Sequence, residues 1–138
     1  MSAQFTTTCR VEFSDTDMAG IVHFTNFYRW MEHAEHAYFR SLGLKIIEEQ
    51  PDGSAISWPR VSCACSFKAP AYYNDVLEIR LTAVHKGDKS LTMQFEFTRD
   101  ETQIAVGELK TVCCRLREGE PMHSIPIPPE YDEKIQEL

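Results

Sequence analysis

The sequence predicts one α+β domain in which a five-stranded, mostly antiparallel sheet wraps around a single long helix. Three observations predict it. One strand-like run is followed by one amphipathic helical stretch and then by four more strand-like runs. The last three runs are joined by connections too short for crossovers, which favours antiparallel hairpins. Finally, 138 residues with 43% hydrophobic side chains suffice for one buried core, so the expected organisation is a single domain over 1–138.

FTTTCRVEF, residues 5–13, is rich in β-branched and aromatic residues and reads as the first strand. It breaks at Asp15, Thr16 and Asp17, and the period of the pattern then changes. From Thr25 to Leu42, the residues Phe27, Trp30, Met31, Ala34, Tyr38 and Leu42 recur at three- and four-residue steps. Glu32, His33, Glu35, His36 and Arg40 fill much of the remainder, so the stretch is one amphipathic helix. Thr25 is the expected N-cap, and Gly43 supplies a residue suited to the left-handed conformation at the far end.

Residues 45–59, KIIEEQPDGSAISWP, hold a Pro-Asp-Gly-Ser turn and end in proline, which predicts a connection rather than a core element. Connections of this length are often functional. The later strand runs are RVSCACSFK, DVLEIRLTAV, KSLTMQFEFTR and TQIAVGELKTVCCRLR. In the second of these, Leu77, Ile79, Leu81 and Ala83 alternate with Glu78, Arg80 and Thr82; in the third, Leu91, Met93, Phe95 and Phe97 mark one face. The tail, SIPIPPEYDEKIQEL, begins with prolines and is read as finishing in a short helix. A long helix with so wide an apolar arc, wrapped by a curved sheet, suits the hot-dog fold.

The formal charge of −7, from 21 acidic and 14 basic side chains, argues against a broad nucleic-acid surface. Any anionic ligand must be met by local donors. No stretch approaches the ~20 apolar residues of a membrane span, and MSAQFTTTCR lacks the basic and apolar parts of a signal peptide, so the expected compartment is the cytoplasm. The five cysteines, at 9, 63, 65, 113 and 114, are expected as free thiols. Cys-Ala-Cys and Cys-Cys lack the usual two-residue spacer and a matching His pair, and no metal is expected.

The break before the helix is where chemistry is legible. First-turn N–H groups of a helix lack internal partners and carry the positive end of its dipole, which suits a forming oxyanion. Gly20 allows a tight bend and a close backbone approach, with Ile21 and Val22 excluding water, and Asp17 stands three residues before that glycine. A carboxylate beside an oxyanion site can attack an activated carbonyl or deprotonate an attacking water. On spacing alone, a cap or turn role for Asp17 stays open.

RVEFSDTDMAGIVHFTNF, from Arg10 to Phe27, resembles the signature of the 4-hydroxybenzoyl-CoA thioesterase family of hot-dog hydrolases. Arg10, Val11, Thr16, Asp17, Gly20, Ile21, Val22, Phe24 and Phe27 stand at its characteristic positions. The likeness continues through Asn26, Arg29, Trp30, Pro59-Arg-Val-Ser-Cys, Asp75-Val-Leu and Lys89-Ser90, and so spans nearly the whole chain.

The resemblance implies acyl-CoA hydrolysis with Asp17 as nucleophile or general base and backbone N–H groups near His23 and Phe24 as oxyanion donors. It implies Lys89 and Ser90 near the nucleotide of coenzyme A, with Lys86 and His123 as weaker candidates. Glu32 falls where hydroxybenzoyl-specific members carry an aspartate for the ring hydroxyl, and its longer side chain departs from that pattern. On their own chemistry, Gly20 is read as a close-approach position and Trp58, before Pro59 on the loop, as either a cover for the acyl pocket or a packing residue. The implied substrate is a small aromatic or short acyl thioester of coenzyme A, with no further cofactor, in a homodimer or homotetramer whose ligand lies between subunits. A noncatalytic acyl-CoA-binding protein and a hydroxyacyl-thioester dehydratase on the same fold are the rival readings.

Overall fold

The computed structural model describes residues 4–138. The reading of the chain's start as leaderless includes residues 1–3, which lie outside the described residues.

Strand β1 (Gln4–Arg10) leads through a 3-10 turn (Phe13–Asp15) and an irregular loop into helix α1 (Thr25–Ser41). Two short strands, β2 (Glu48–Glu49) and β3 (Ala55–Ser57), precede the long strands β4 (Arg60–Phe67), β5 (Val76–Lys86), β6 (Ser90–Arg99) and β7 (Thr102–Val112). Strands β8 (Cys114–Leu116) and β9 (His123–Ser124) and helix α2 (Pro129–Lys134) complete the chain. The main sheet runs in the order β1-β5-β6-β7-β4, and every adjacent pair is antiparallel, so the hairpins expected among the last three long runs are present.

The alternation read in the sequence becomes the core. Leu77, Ile79, Leu81 and Ala83 of β5, with Leu91, Met93, Phe95 and Phe97 of β6, are all buried against α1 residues such as Phe27, Trp30, Met31 and Ala34. Phe27 meets Phe97 edge-on at 5.2 Å, an arrangement that aromatic quadrupoles favour. At Gly107 of β7 the Met31 side chain packs so close that a Cβ would meet its Sδ, and a larger residue there would require that side chain to shift.

Three expectations are corrected. The first strand stops at Arg10 rather than Phe13, because Asp15 Oδ2 accepts the Glu12 N–H at 2.8 Å and folds the chain into the 3-10 turn. The 45–59 connection contributes β2 and β3 to a second sheet, ordered β2-β3-β8-β9. The last run splits at Cys113, whose N–H donates to the Lys89 carbonyl while its carbonyl accepts from Ile125, and that bend carries β8 into the second sheet.

Helix α1 begins at Thr25, with Phe24 rather than Thr25 at the cap position and no side-chain cap, and Gly43 adopts φ +73° beyond its end. Strand β4 is a sheet edge and is largely exposed, including Val61 at 57% and Phe67 at 48%.

Candidate active site

The loop between the 3-10 turn and α1 is held from beneath by Asp15. Its buried carboxylate accepts Arg29 Nη2 at 2.6 Å, and its carbonyl accepts both the His23 N–H and Asn26 Nδ2 at 2.8 Å. Above it, the Asp17 N–H donates to the Ile21 carbonyl, the Gly20 N–H donates back to the Asp17 carbonyl, and Gly20 takes φ +80°. That left-handed conformation is the bend for which glycine is suited. Asp17 Oδ1 accepts the Ala19 N–H at 2.8 Å, which fixes the carboxylate on the turn.

Asp17 lines a cavity of about 570 Å³ whose other walls include Val22, Phe24, Phe27, Phe67 and Ala71. The walls are mostly apolar, with Lys68 at the same opening. Phe24 stands at the start of α1, and its N–H has no acceptor among the described residues. The His23 N–H, expected as a second oxyanion donor, is spent on the Asp15 carbonyl; that expectation is corrected, and Phe24 remains. The His23 ring stacks on Phe24 at 4.9 Å, with Nδ1 2.8 Å from Thr25 Oγ1. Phe67 to Ala71, the connection out of β4, form much of the cavity wall, which the sequence reading missed. Only the apolar tail of the β4 run hinted at them.

The remaining expected residues lie elsewhere in the chain. Glu32, Arg60, Cys63 and Tyr28 line a second cavity of about 340 Å³ between α1 and β4. Lys89 and Ser90 sit at the turn into β6, where Ser90 pairs with Val112 and Leu91 with Thr111, the partner of Arg60. That row is the opposite end of the sheet from the Phe67–Ala105–Phe97 row beside Asp17. Six residues of β6 and of β7 separate the Leu91–Thr111–Arg60 and Phe97–Ala105–Phe67 rows, about 20 Å.

Trp58 is 1% exposed, packed on Phe39 at 5.7 Å and Tyr131 at 5.5 Å, and does not line the Asp17 cavity. Of the two readings of Trp58, its burial against Phe39 and Tyr131 fits packing and not the cover of the acyl pocket. Lys86 Nζ donates to the Asp132 and Ile135 carbonyls at 2.8 Å, so it ties down α2 and is not a free phosphate donor.

Electrostatics point away from thiol chemistry. The five cysteines are free, and burial pushes the Cys9 and Cys113 thiols up to about 12 and Cys65 up to about 11, so they stay neutral. Glu35, in α1, is fully buried and pushed up to about 7 because burial outweighs the attraction of Arg60. No helix among the described residues is long and apolar enough to cross a membrane.

An antiparallel sheet wrapped on one central helix, with a carboxylate and an unpartnered N–H at that helix's start, defines a hot-dog protein with the layout of an acyl-transfer site. Residues 11–135 match the thioesterase-like superfamily, and the chain belongs to it. It is 30% identical to a 4-hydroxybenzoyl-CoA thioesterase of Pseudomonas sp. (strain CBS-3), over 96% of this chain and 98% of that one. It is similar to the structure of a gentisyl-coenzyme A thioesterase, with a TM-score of 0.78 and 30% identity over 93% of this chain and 99% of the other. It also resembles a D17N mutant of 4-hydroxybenzoyl-CoA thioesterase complexed with 4-hydroxybenzoyl-CoA, with a TM-score of 0.80 and 28% identity over 98% and 100% of the two chains.

Proposed function

We propose that the protein hydrolyses the coenzyme A thioester of a small aromatic or short acyl group, with Asp17 as nucleophile or general base. The observation that carries this reading is the meeting of Asp17 and the Phe24 position on one apolar-walled cavity at the start of α1. The thioester carbonyl oxygen accepts the Phe24 N–H, and the helix dipole stabilises the charge that forms there. The Asp17 carboxylate then attacks the carbonyl carbon, expelling the thiolate and leaving an anhydride for water to open. Alternatively, Asp17 takes a proton from the water that attacks. Either course yields the carboxylic acid and free coenzyme A, and the residues named need no metal or redox group. Relatives that act on hydroxybenzoyl- and gentisyl-CoA support an aromatic acyl group, and a CoA ester as substrate supports a cytoplasmic setting.

A second copy completes the proposed site. The free edge of β4 invites pairing. In antiparallel self-pairing about the middle of β4, near Cys63 and Ala64, the Phe67 end of each copy meets the Arg60 end of the other. That arrangement unites Asp17, Gly20 and Phe24 of one copy with Glu32, Lys89 and Ser90 of its partner; within one chain Glu32 is two helical turns from Phe24, about 12 Å, and Lys89 and Ser90 lie at the far end of the sheet. Lys89 and Ser90 then serve the coenzyme A phosphates, and Glu32 the acyl end.

Asp17→Asn is the test. Thiol release from a panel of aroyl- and acyl-CoA esters should fall at least 100-fold, with acyl-CoA binding retained, whereas unchanged turnover rejects the role. A wild-type protein that binds these esters without releasing thiol is a binding protein instead.

A further inference from the structure

We propose that Arg60, anchored by Glu35, is a positioning residue that aims Glu32 at the acyl group and so selects acyl groups presenting a hydrogen-bond donor. The inference rests on the assignment of Glu32 to the acyl end of the site.

The geometry is a three-member chain across the α1–β4 seam. Arg60 Nη2 donates to Glu32 Oε2 at 3.0 Å and to Glu35 Oε1 at 2.5 Å, while Nη1 donates to the Trp58 carbonyl at 3.0 Å. The guanidinium is thus fixed from two sides by groups that do not themselves line the cavity. Glu32 does line it, with its side chain 52% exposed, and its Oε1 accepts no hydrogen bond from the described residues. An unaided glutamate at such a helix position samples several rotamers; a planar guanidinium held in place selects one. The selected rotamer leaves Oε1 as an acceptor on the cavity.

A purely structural account of the chain is weak. Glu32 and Glu35, three residues apart, repel on one helix face, and the Glu35 side chain is 0% exposed with Oε2 unpartnered. A buried carboxylate arranged like this contributes little net stability even when paired. What the arrangement does supply is a fixed charge behind Glu32. Glu32 Oε1, an acceptor with no donor of its own, favours a phenolic hydroxyl and disfavours acyl groups that bear a second carboxylate.

The test compares kcat and KM for 4-hydroxybenzoyl-CoA and benzoyl-CoA in the wild type, Glu32→Gln, Arg60→Gln, Glu35→Gln and the Glu32→Gln/Arg60→Gln double variant. Losing a charge-assisted hydrogen bond should lower the preference for the hydroxylated ring roughly tenfold in Glu32→Gln and in Arg60→Gln, through KM rather than kcat. Glu35→Gln should lower it by less. Because Arg60 acts through Glu32, adding Arg60→Gln to Glu32→Gln should lower the preference no further.

A preference that falls in Glu32→Gln but stands unchanged in Arg60→Gln overturns the inference and leaves the assignment of Glu32 intact. An unchanged preference in Glu32→Gln overturns both. Arg60→Lys replaces Arg60→Gln if the latter fails to fold, and is expected to show the same loss because an ammonium cannot bridge in the guanidinium's plane. Should the wild type release no thiol, calorimetric affinities for the two intact esters carry the same comparison.

Discussion

The buried Glu35 makes stability depend on pH in a direction opposite to that of most paired carboxylates. Its pKa is raised from an ordinary 4.5 to about 7, chiefly by burial, against the pull of Arg60 and with a further push from Glu32. His36 Nε2 lies 3.7 Å from Glu35 Oε1, and burial shifts its own pKa down. Between pH 4.5 and about 7 the folded chain therefore holds a proton that the unfolded chain has released, so stability falls as pH rises. A difference of about 2.5 in pKa, at about 1.4 kcal/mol each, corresponds to about 3 kcal/mol between pH 4 and pH 8. Glu35→Gln imitates the protonated form. It should match the wild type below pH 4.5 and exceed it by about 3 kcal/mol at pH 8, or about 10 °C in Tm for a domain of this size. Urea unfolding of both proteins across that range, at one protomer concentration, measures the difference. Groups common to both cancel, including Asp52, which Ser54 and Arg117 hold at about 2. A gap between the two proteins that does not change with pH, or a variant less stable than the wild type at pH 8, would refute the reasoning.

Two further predictions bear on placement. Ala64→Lys adds a charge at the middle of an exposed edge, where it should alter chain stability by less than about 0.5 kcal/mol, yet it sets like charges opposite one another in the proposed pair. Sedimentation should show monomer, with turnover lost; a turnover-competent monomer would break the two-copy site. Trp58→Phe removes a buried indole N–H that has no partner and should leave kcat/KM unchanged while altering urea stability by no more than about 2 kcal/mol, because Trp58 packs in the core.

The long elements were legible because their patterns have one dominant cause. The 3.6-residue period of α1 and the twofold alternation of β5 and β6 are both set by burial against the same core, and both appear where they were read. The short strands were not legible. β2 and β3 together hold five residues, too few to show a period, and β8 exists only because Cys113 turns its N–H toward Lys89. Asp17 and Phe24 were read from the motif, but the sequence gives no sign that the neighbouring His23 N–H is consumed by a carbonyl eight residues upstream. Trp58 looked like a loop residue because the sheet that buries it is made from the illegible strands. Glu35 read as helix polarity; the Arg60 that answers it is 25 residues away and on another element.

The exposure of Asp17 in a single chain connects these observations. A carboxylate open to water on one side is well hydrated, and hydration weakens both its nucleophilicity and its interaction with a charge forming a few ångströms away. The Phe24 side chain, 53% exposed, and Phe67, 48% exposed, are apolar walls that cover the cavity on one side only. All three lie toward the Phe67 end of β4, the edge with no partner in the chain. A second copy seated on that edge would bury the two rings and thin the water around Asp17 by one association. The same contact that protects an aggregation-prone edge would therefore set the dielectric in which the thioester reacts. In the proposed two-copy site, β4 would then bear on the reaction as directly as the loop that carries Asp17.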